Sequence, residues 1–413
     1  MAKIKAFKAL RPKNTLVEKV AALPYDVMNY EEAKEMVKGN PYSFLHIDRA
    51  EIDLEENINP YDPKVYEQAK NNLNNFIDKK IFIREDKSSI YIYRQIMNGK
   101  IQTGIVCCTA IDDYINGIIK KHEFTREDKE KDRINHVDTC NANTGPIFLT
   151  YKKNIGISNI VELETKKSPI YNFNTEDKIT HIIWIIEDEK VIEKLINLFE
   201  DVDSLYIADG HHRAEAAVKV GINRRKENKN YKDEEFNYFL SVLYPDEELK
   251  IFDYNRVVKD LNGLNLDQFL NLVSKDFEIE KLVDNESFKP NERHTFGMYL
   301  ENSWYKLKAK KGTFNNKDVV ESLDVSILQN NLLSPILGIS DPRKDSRIDF
   351  VGGIRGLSAL IKRVNEDMKI AFSMYPTTIE ELMKIADEGK VMPPKSTWFE
   401  PKIRSGIFIH TLD

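Results

Sequence analysis

The sequence predicts a mixed α/β (α+β) fold, and three observations carry that prediction. Helix-period and strand-period hydrophobic patterns alternate along the whole chain. No internal repeat occurs at solenoid spacing. The 413 residues, 41% hydrophobic and 10% aromatic, supply enough apolar chain for more than one packed core.

Each element follows from its local pattern. Glu31 to Lys38 follows a turn-like Asn29-Tyr30 and stops at Gly39, as a short helix does. From Lys64 to Lys79, Val65, Ala69, Leu73 and Phe76 recur at three- and four-residue intervals, the mark of an amphipathic helix. Ser89 to Arg94 and Gln102 to Ile111 read as paired strands, with Asn98-Gly99 as the turn between them. Thr125 and Asp128 match a capping box opening a charged helix that runs to about His136. Ile179 to Ile186 and Ser204 to Ala208 are apolar strands. The second leads into a helix with Ala214, Ala217 and Val218 on one face and Gly221 at its end. Tyr238 to Tyr244 is a further strand. Near the C-terminus a helix from Ile379 to Glu388 is capped by Thr378 and stopped by Gly389. A proline-rich loop and a closing strand at Gly406 to His410 follow.

Composition excludes several function classes. With 61 Lys and Arg against 67 Asp and Glu, the formal charge is −6, which gives no basic footprint for bulk nucleic-acid binding. The longest uncharged stretch, Val325 to Ser340, contains Gln329, Asn330, Asn331 and Pro335 and cannot span a bilayer. The basic N-terminus lacks the apolar run of a signal peptide. Cys107, Cys108 and Cys140 form neither a disulfide framework nor a zinc motif. A cytoplasmic protein with reduced thiols is expected.

Three segments carry chemistry. In Ser204 to Ala217 a strand feeds a helix through Asp209-Gly210, which leaves the first backbone N–H groups of the helix facing open space and suited to a phosphate. Gly210 permits close approach of a ligand, and His211, His212 and Arg213 add donors in the first turn. Cations are otherwise unfavourable there, so an anion is expected; Asp209 as N-cap is the purely structural alternative. The second segment, Lys120-Lys121-His122-Glu123, offers a carboxylate able to act as a general base, or simply a charged loop. Beyond it Arg126, Lys129 and Arg133 share one helical face. The third, Pro394-Lys395-Ser396-Thr397, offers an ammonium and two hydroxyls for a carboxylate or phosphate, or a turn anchored by Trp398 and Phe399. Gly352 to Gly356 matches no nucleotide fingerprint and reads as a turn. His46, His136, His181, His294 and His410 are isolated.

Asp209-Gly-His-His-Arg213 resembles the phosphate-binding turn of the ParB/sulfiredoxin-like superfamily. Histidine fills the position of the sulfiredoxin catalytic cysteine, so the better match is to the free-serine kinases of that superfamily. Those enzymes carry Pro-His-Glu, then strand–Asp-Gly-His-His-Arg–helix, then Pro-Lys-Thr-Thr. Here His122-Glu123, Asp209 to Arg213 and Pro394 to Thr397 occur in the same order, with Lys121 in place of the proline, Trp398 in place of an arginine, and longer gaps. Over nearly its whole length, including LPYDV at 23–27, NPYSFLHI at 40–47 and PPKSTWFEPK at 393–402, the chain resembles the domain of unknown function 1015 family.

The resemblance implies a ParB/sulfiredoxin-like core with large N-terminal and C-terminal elaborations. The expected division is an α/β segment over 1–113, the phosphate-binding core over 114–260, and a C-terminal α/β domain over 261–413 whose last loop, 391–402, returns to the site. It implies a phosphotransferase moving a phosphoryl group from ATP or ADP, with Mg²⁺, to a small hydroxyl substrate. Free L-serine, giving O-phospho-L-serine or the reverse, is the favoured acceptor. Glu123 and Asp209 are then catalytic, Asp209 positioning the nucleophile or the ion. Gly210, His211, His212 and Arg213 hold the nucleotide phosphates, and His122, Lys395, Ser396 and Thr397 contact substrate. The alternatives are a nucleotide-binding ParB-like regulator and a nucleotide or phosphoester hydrolase.

Overall fold

The computed structural model describes residues 1–413 except 229–231, 233 and 284–286. It is a mixed α/β protein in two compact units, Met1–Leu249 with Pro401–Asp413, and Lys250–Glu400.

The first unit is built on a mixed sheet. Its strands run in the order Ile119–Lys120, Leu205–Asp209, Ile147–Tyr151, Tyr238–Pro245, Lys100–Ala110, Ile90–Met97, Thr180–Ile186 and Tyr171–Asn174, and Ile4–Lys5 adds to the far end of Lys100–Ala110. The centre is apolar in sequence and buried in fact. Ile90, Ile92, Ile105, Cys107, Leu149, Ile207, Phe239 and Leu243 share one core with Ala214, Ala217 and Val218 of the helix His211–Glu227. The Ile90–Met97 and Lys100–Ala110 strands form the expected hairpin, because Asn98 and Gly99 both take the positive φ, 50° and 76°, that a tight hairpin turn requires.

A second core lies under the N-terminal helices. Pro63–Asp78 starts on an Asp62 side-chain cap and buries Val65, Ala69, Leu73 and Phe76, the stripe read from the sequence. Tyr30–Met36 begins with a full capping box between Asn29 and Glu32. All three cysteines are buried and free, so no disulfide joins them.

Several local expectations are corrected. Thr125 and Asp128 do not form a capping box: Thr125 donates to Glu130, Asp128 pairs with Arg126 at 2.8 Å, and the helix Glu127–Cys140 starts without a side-chain cap from its own N-cap, Arg126. Arg126, Lys129 and Arg133 do not form one exposed helical face, because Arg133 is buried against the Tyr25 ring at 4.0 Å while Lys129 lies over Tyr61. Gly221 does not stop its helix, which continues to Glu227. The glycine serves a close approach instead, since a Cβ there would lie 2.5 Å from the Phe236 carbonyl oxygen and 2.6 Å from Ile111 Cδ1. The closing strand shrinks to His410–Thr411, paired with Ala142–Asn143, because Gly406 turns at φ 82° against Phe44.

The second unit is an antiparallel sheet ordered Phe277–Lys281, Ser303–Ala309, Thr295–Leu300, Ile370–Ser373, Tyr254–Val258 and Ile348–Gly352. The helix Gly356–Glu366 packs Leu360 into a core with Val257, Trp304 and Ala371. Ile379–Asp387 opens on a Thr378–Glu381 capping box and is followed by Gly389 at φ 66°, as read from the sequence. Among the described residues no helix is long and apolar enough to cross a membrane.

Two outcomes test this packing. Gly221→Ala should lower the thermal midpoint by driving a methyl into the Phe236 carbonyl, at a cost of about 1–3 kcal/mol. The second concerns Glu235, which accepts from Lys5 Nζ at 2.6 Å and His410 Nε2 at 2.9 Å. Burial pushes this carboxyl up, but His410 and Lys5 outweigh it and bring it down to about 2. A depressed folded-state value gives stability that is present above the ordinary carboxyl value and lost as pH falls through the folded one. Thermal melts of Glu235→Gln should therefore lie below wild type at neutral pH, with the gap closing as pH falls from about 4.5 toward 2.

Candidate functional site

The site begins with a short parallel ladder. Ile119 pairs with Leu205 and Lys120 with Tyr206, so both strands point the same way and the loops after them emerge at one edge of the sheet. His122-Glu123 follows one strand and Asp209 to Arg213 the other. The His122 and His211 rings meet edge to face with centroids 4.5 Å apart. Glu123 Oε2 lies 3.9 Å from His211 Nδ1.

Gly210 makes the turn. Its φ of 96° is left-handed, and a Cβ would press within 3.1–3.2 Å of the Arg213 guanidinium. Gly210 is itself the N-cap and no side chain caps the helix; Asp209 does not, contrary to the structural alternative. The first N–H groups of a 17-residue helix thus begin directly at the turn.

Asp209 has other work. Its Oδ2 accepts from Lys402 Nζ at 3.0 Å, with Arg213 Nη2 4.0 Å away. Burial would raise this carboxyl, but Lys402 and Arg213 hold it well below the usual carboxylate range. Lys402 was not singled out from the sequence: it is 193 residues from its partner, and no local pattern connects them.

The basic run is less cationic than it reads. Burial pushes the His122 imidazole down to about 4, and burial with the neighbouring His122 takes His211 well below its ordinary value. Both rings are therefore neutral at neutral pH. His122 is steered by a hydrogen bond to the Ile207 backbone carbonyl. His211 Nε2 is buried and has no hydrogen-bond partner. His212 Nε2 accepts the Arg126 backbone N–H at 3.0 Å, which fixes the entry of the next helix. Arg213 folds back, donating from Nη1 to the Pro146 carbonyl, and lines a small cavity with Tyr25, Asp48 and Arg133. Its Nε is buried without a partner.

The structure thus brings His122, Glu123 and Asp209 to Arg213 together within the first unit. Lys395, Ser396 and Thr397 belong to the second. There Lys395 sits over the Tyr254 ring at 5.6 Å, Ser396 Oγ donates to the Pro393 carbonyl at 2.6 Å, and the Ser396 carbonyl accepts from Thr377.

The family model described as protein of unknown function (DUF1015) matches residues 4–326. The chain belongs to that family. No curated protein matches it. Among solved structures it is similar to a free serine kinase in complex with AMP, at 15% identity and a TM-score of 0.36, covering 74% of this chain and 91% of that one. It is also similar to a conserved hypothetical protein from Pyrococcus furiosus, at 16% identity and a TM-score of 0.37, covering 76% and 97%. A third is SbnI with a C-terminal truncation from Staphylococcus aureus, at 8% identity and a TM-score of 0.39, covering 74% and 87%.

Lys402→Met would leave the Asp209 carboxylate with only the more distant Arg213. The Asp209 side chain is 26% exposed, so the loss should be smaller than for a fully buried pair, about 2 kcal/mol. Lys402→Arg should recover most of it, read as thermal midpoints of the three proteins.

Proposed function

We propose that the protein is a phosphotransferase that moves a phosphoryl group from a nucleotide to a small hydroxyl compound, with free L-serine as the acceptor. The observation that carries this reading is the parallel register that sets the Glu123 carboxylate beside an uncapped helix N-terminus. A base and an anion-binding turn at one sheet edge are the two parts phosphoryl transfer needs, because the chemistry asks for positioning and charge stabilisation more than covalent catalysis. The choice of serine rests on the order of the His-Glu, Asp-Gly-His-His-Arg and Pro-Lys-Ser-Thr motifs.

In this reading the helix N–H groups at Gly210, His211 and His212 receive phosphate oxygens of ATP or ADP. Arg213 and Lys402, both gathered by Asp209, add positive charge beside the turn. Glu123, half-exposed, takes the acceptor hydroxyl proton as that oxygen attacks the terminal phosphorus and the nucleotide oxygen leaves with the bonding pair. The neutral His122 ring, packed on His211, holds the base's loop in place. The residues at the turn do not fit Mg²⁺, which takes oxygen ligands: two are imidazoles, and the Asp209 carboxylate is already engaged by Lys402. Magnesium entering with a nucleotide would be held by the phosphates and not by these residues.

Phosphorus NMR with nucleotide, Mg²⁺ and L-serine tests the proposal. A phosphomonoester signal that requires serine is expected, and Glu123→Gln should slow its appearance by about 10²–10⁴-fold while leaving nucleotide affinity nearly unchanged. Serine-independent release of inorganic phosphate would make the protein a hydrolase. Nucleotide binding without any turnover would overturn the transferase reading in favour of a sensor.

A further inference from the structure

The donor set at the turn has a second chemistry, which shares the Glu123 carboxylate with the phosphotransferase reading. His122, Glu123 and His211 each offer one ligand atom, and the three lie within 4.8 Å of one another. We propose that these residues form a binding site for a borderline divalent transition-metal ion such as Zn²⁺, Co²⁺ or Fe²⁺, which the protein selects over Mg²⁺.

Four features carry the inference. Two imidazoles with one carboxylate suit zinc, cobalt and ferrous iron, whereas magnesium prefers oxygen ligands alone. The site is built on secondary structure: His122 and Glu123 follow a strand that is paired to the strand leading into His211, so the backbone fixes their separation. The hydrogen bond from His122 to the Ile207 carbonyl is the outer contact that usually orients a metal-bound imidazole. Finally, His211 is buried with Nε2 unpartnered, so no hydrogen bond at that nitrogen commits the ring's tautomer, and Nδ1, the nitrogen nearer Glu123, can carry the lone pair a metal needs.

The fit needs the set to contract, since its ligand atoms lie up to 4.8 Å apart. Ligand atoms about 2.1 Å from an ion stand roughly 3.0–3.5 Å apart when adjacent in its coordination shell. Glu123 must close its 3.9 Å separation from His211 by less than an ångström, and its side chain is 39% exposed and able to turn. Three protein ligands leave positions for water or for an oxygen of a bound phosphate or hydroxyl compound. The inference stands without the transfer reaction, because binding is read with no nucleotide present.

The experiment uses the tag-free, full-length protein stripped by a chelator and titrated with Co²⁺. Visible d–d absorption saturating at one equivalent is expected, displaced by Zn²⁺ and unaffected by a large excess of Mg²⁺. His122→Asn and His211→Asn should each weaken Co²⁺ binding about tenfold or more, and His46→Asn should not. Glu123→Ala changes a half-exposed residue and so tests the site even where a buried histidine variant fails to fold; it should weaken binding as well. Absence of the d–d band in wild type, displacement by Mg²⁺, or unchanged affinity in Glu123→Ala and a folded histidine variant would overturn the proposal. None of these outcomes bears on the serine-dependent phosphorus signal, so the two readings fail separately.

Discussion

A two-rung parallel ladder governs the site. Ile119–Lys120 could pair with Leu205–Asp209 in either direction, but only the parallel arrangement delivers both following loops to one sheet edge. His122 and His211 are 89 positions apart in the chain and become ring neighbours through that pairing. Slipping the register by one residue would exchange the two faces of the strand, moving Leu205 and Ile207 out of the core they share with Ala214 and Val218 and putting Tyr206 and Ala208 in their place. The hydrophobic core therefore enforces the geometry of the polar groups beyond it.

Burial then decides what those groups can be. Three basic side chains at a helix N-terminus would oppose the helix dipole if all were charged. The structure avoids this by keeping His211 neutral, beside the equally neutral His122, and by folding Arg213 back to Asp209 and the Pro146 carbonyl. His212 is occupied with the Arg126 N–H. What remains at the turn is a set of backbone donors and a pair of neutral nitrogen donors, a surface able to receive an oxyanion or an ion that likes imidazole.

Much of this was legible in the sequence, and the rest was hidden for identifiable reasons. The hairpin at Asn98-Gly99, the apolar stripe from Val65 to Phe76 and the Thr378 cap are local, and local patterns read well. The strand–Gly210–helix turn was legible because glycine and its flanking periods lie within a dozen residues. Thr125 failed as a cap although its spacing was right: Glu130 takes its hydroxyl, and the donor at the helix entrance is satisfied from His212, which is remote in sequence. Gly221 resembled a stop because the residue that requires its missing side chain, Phe236, lies in another element. Lys402 was invisible for the same reason, its meaning residing in Asp209.

That last contact has a kinetic side. The ribosome delivers Asp209 early, and then the 151 residues from Lys250 to Glu400 that make the second unit, before Lys402 exists. Strands pairing with Ala142–Asn143 and bridging to Leu10 also wait for the final residues. The first unit is thus a discontinuous domain whose Asp209 carboxylate has only the more distant Arg213 as a salt-bridge partner while an entire second unit is synthesised. Its final closure is a long-range event of the kind that slows folding.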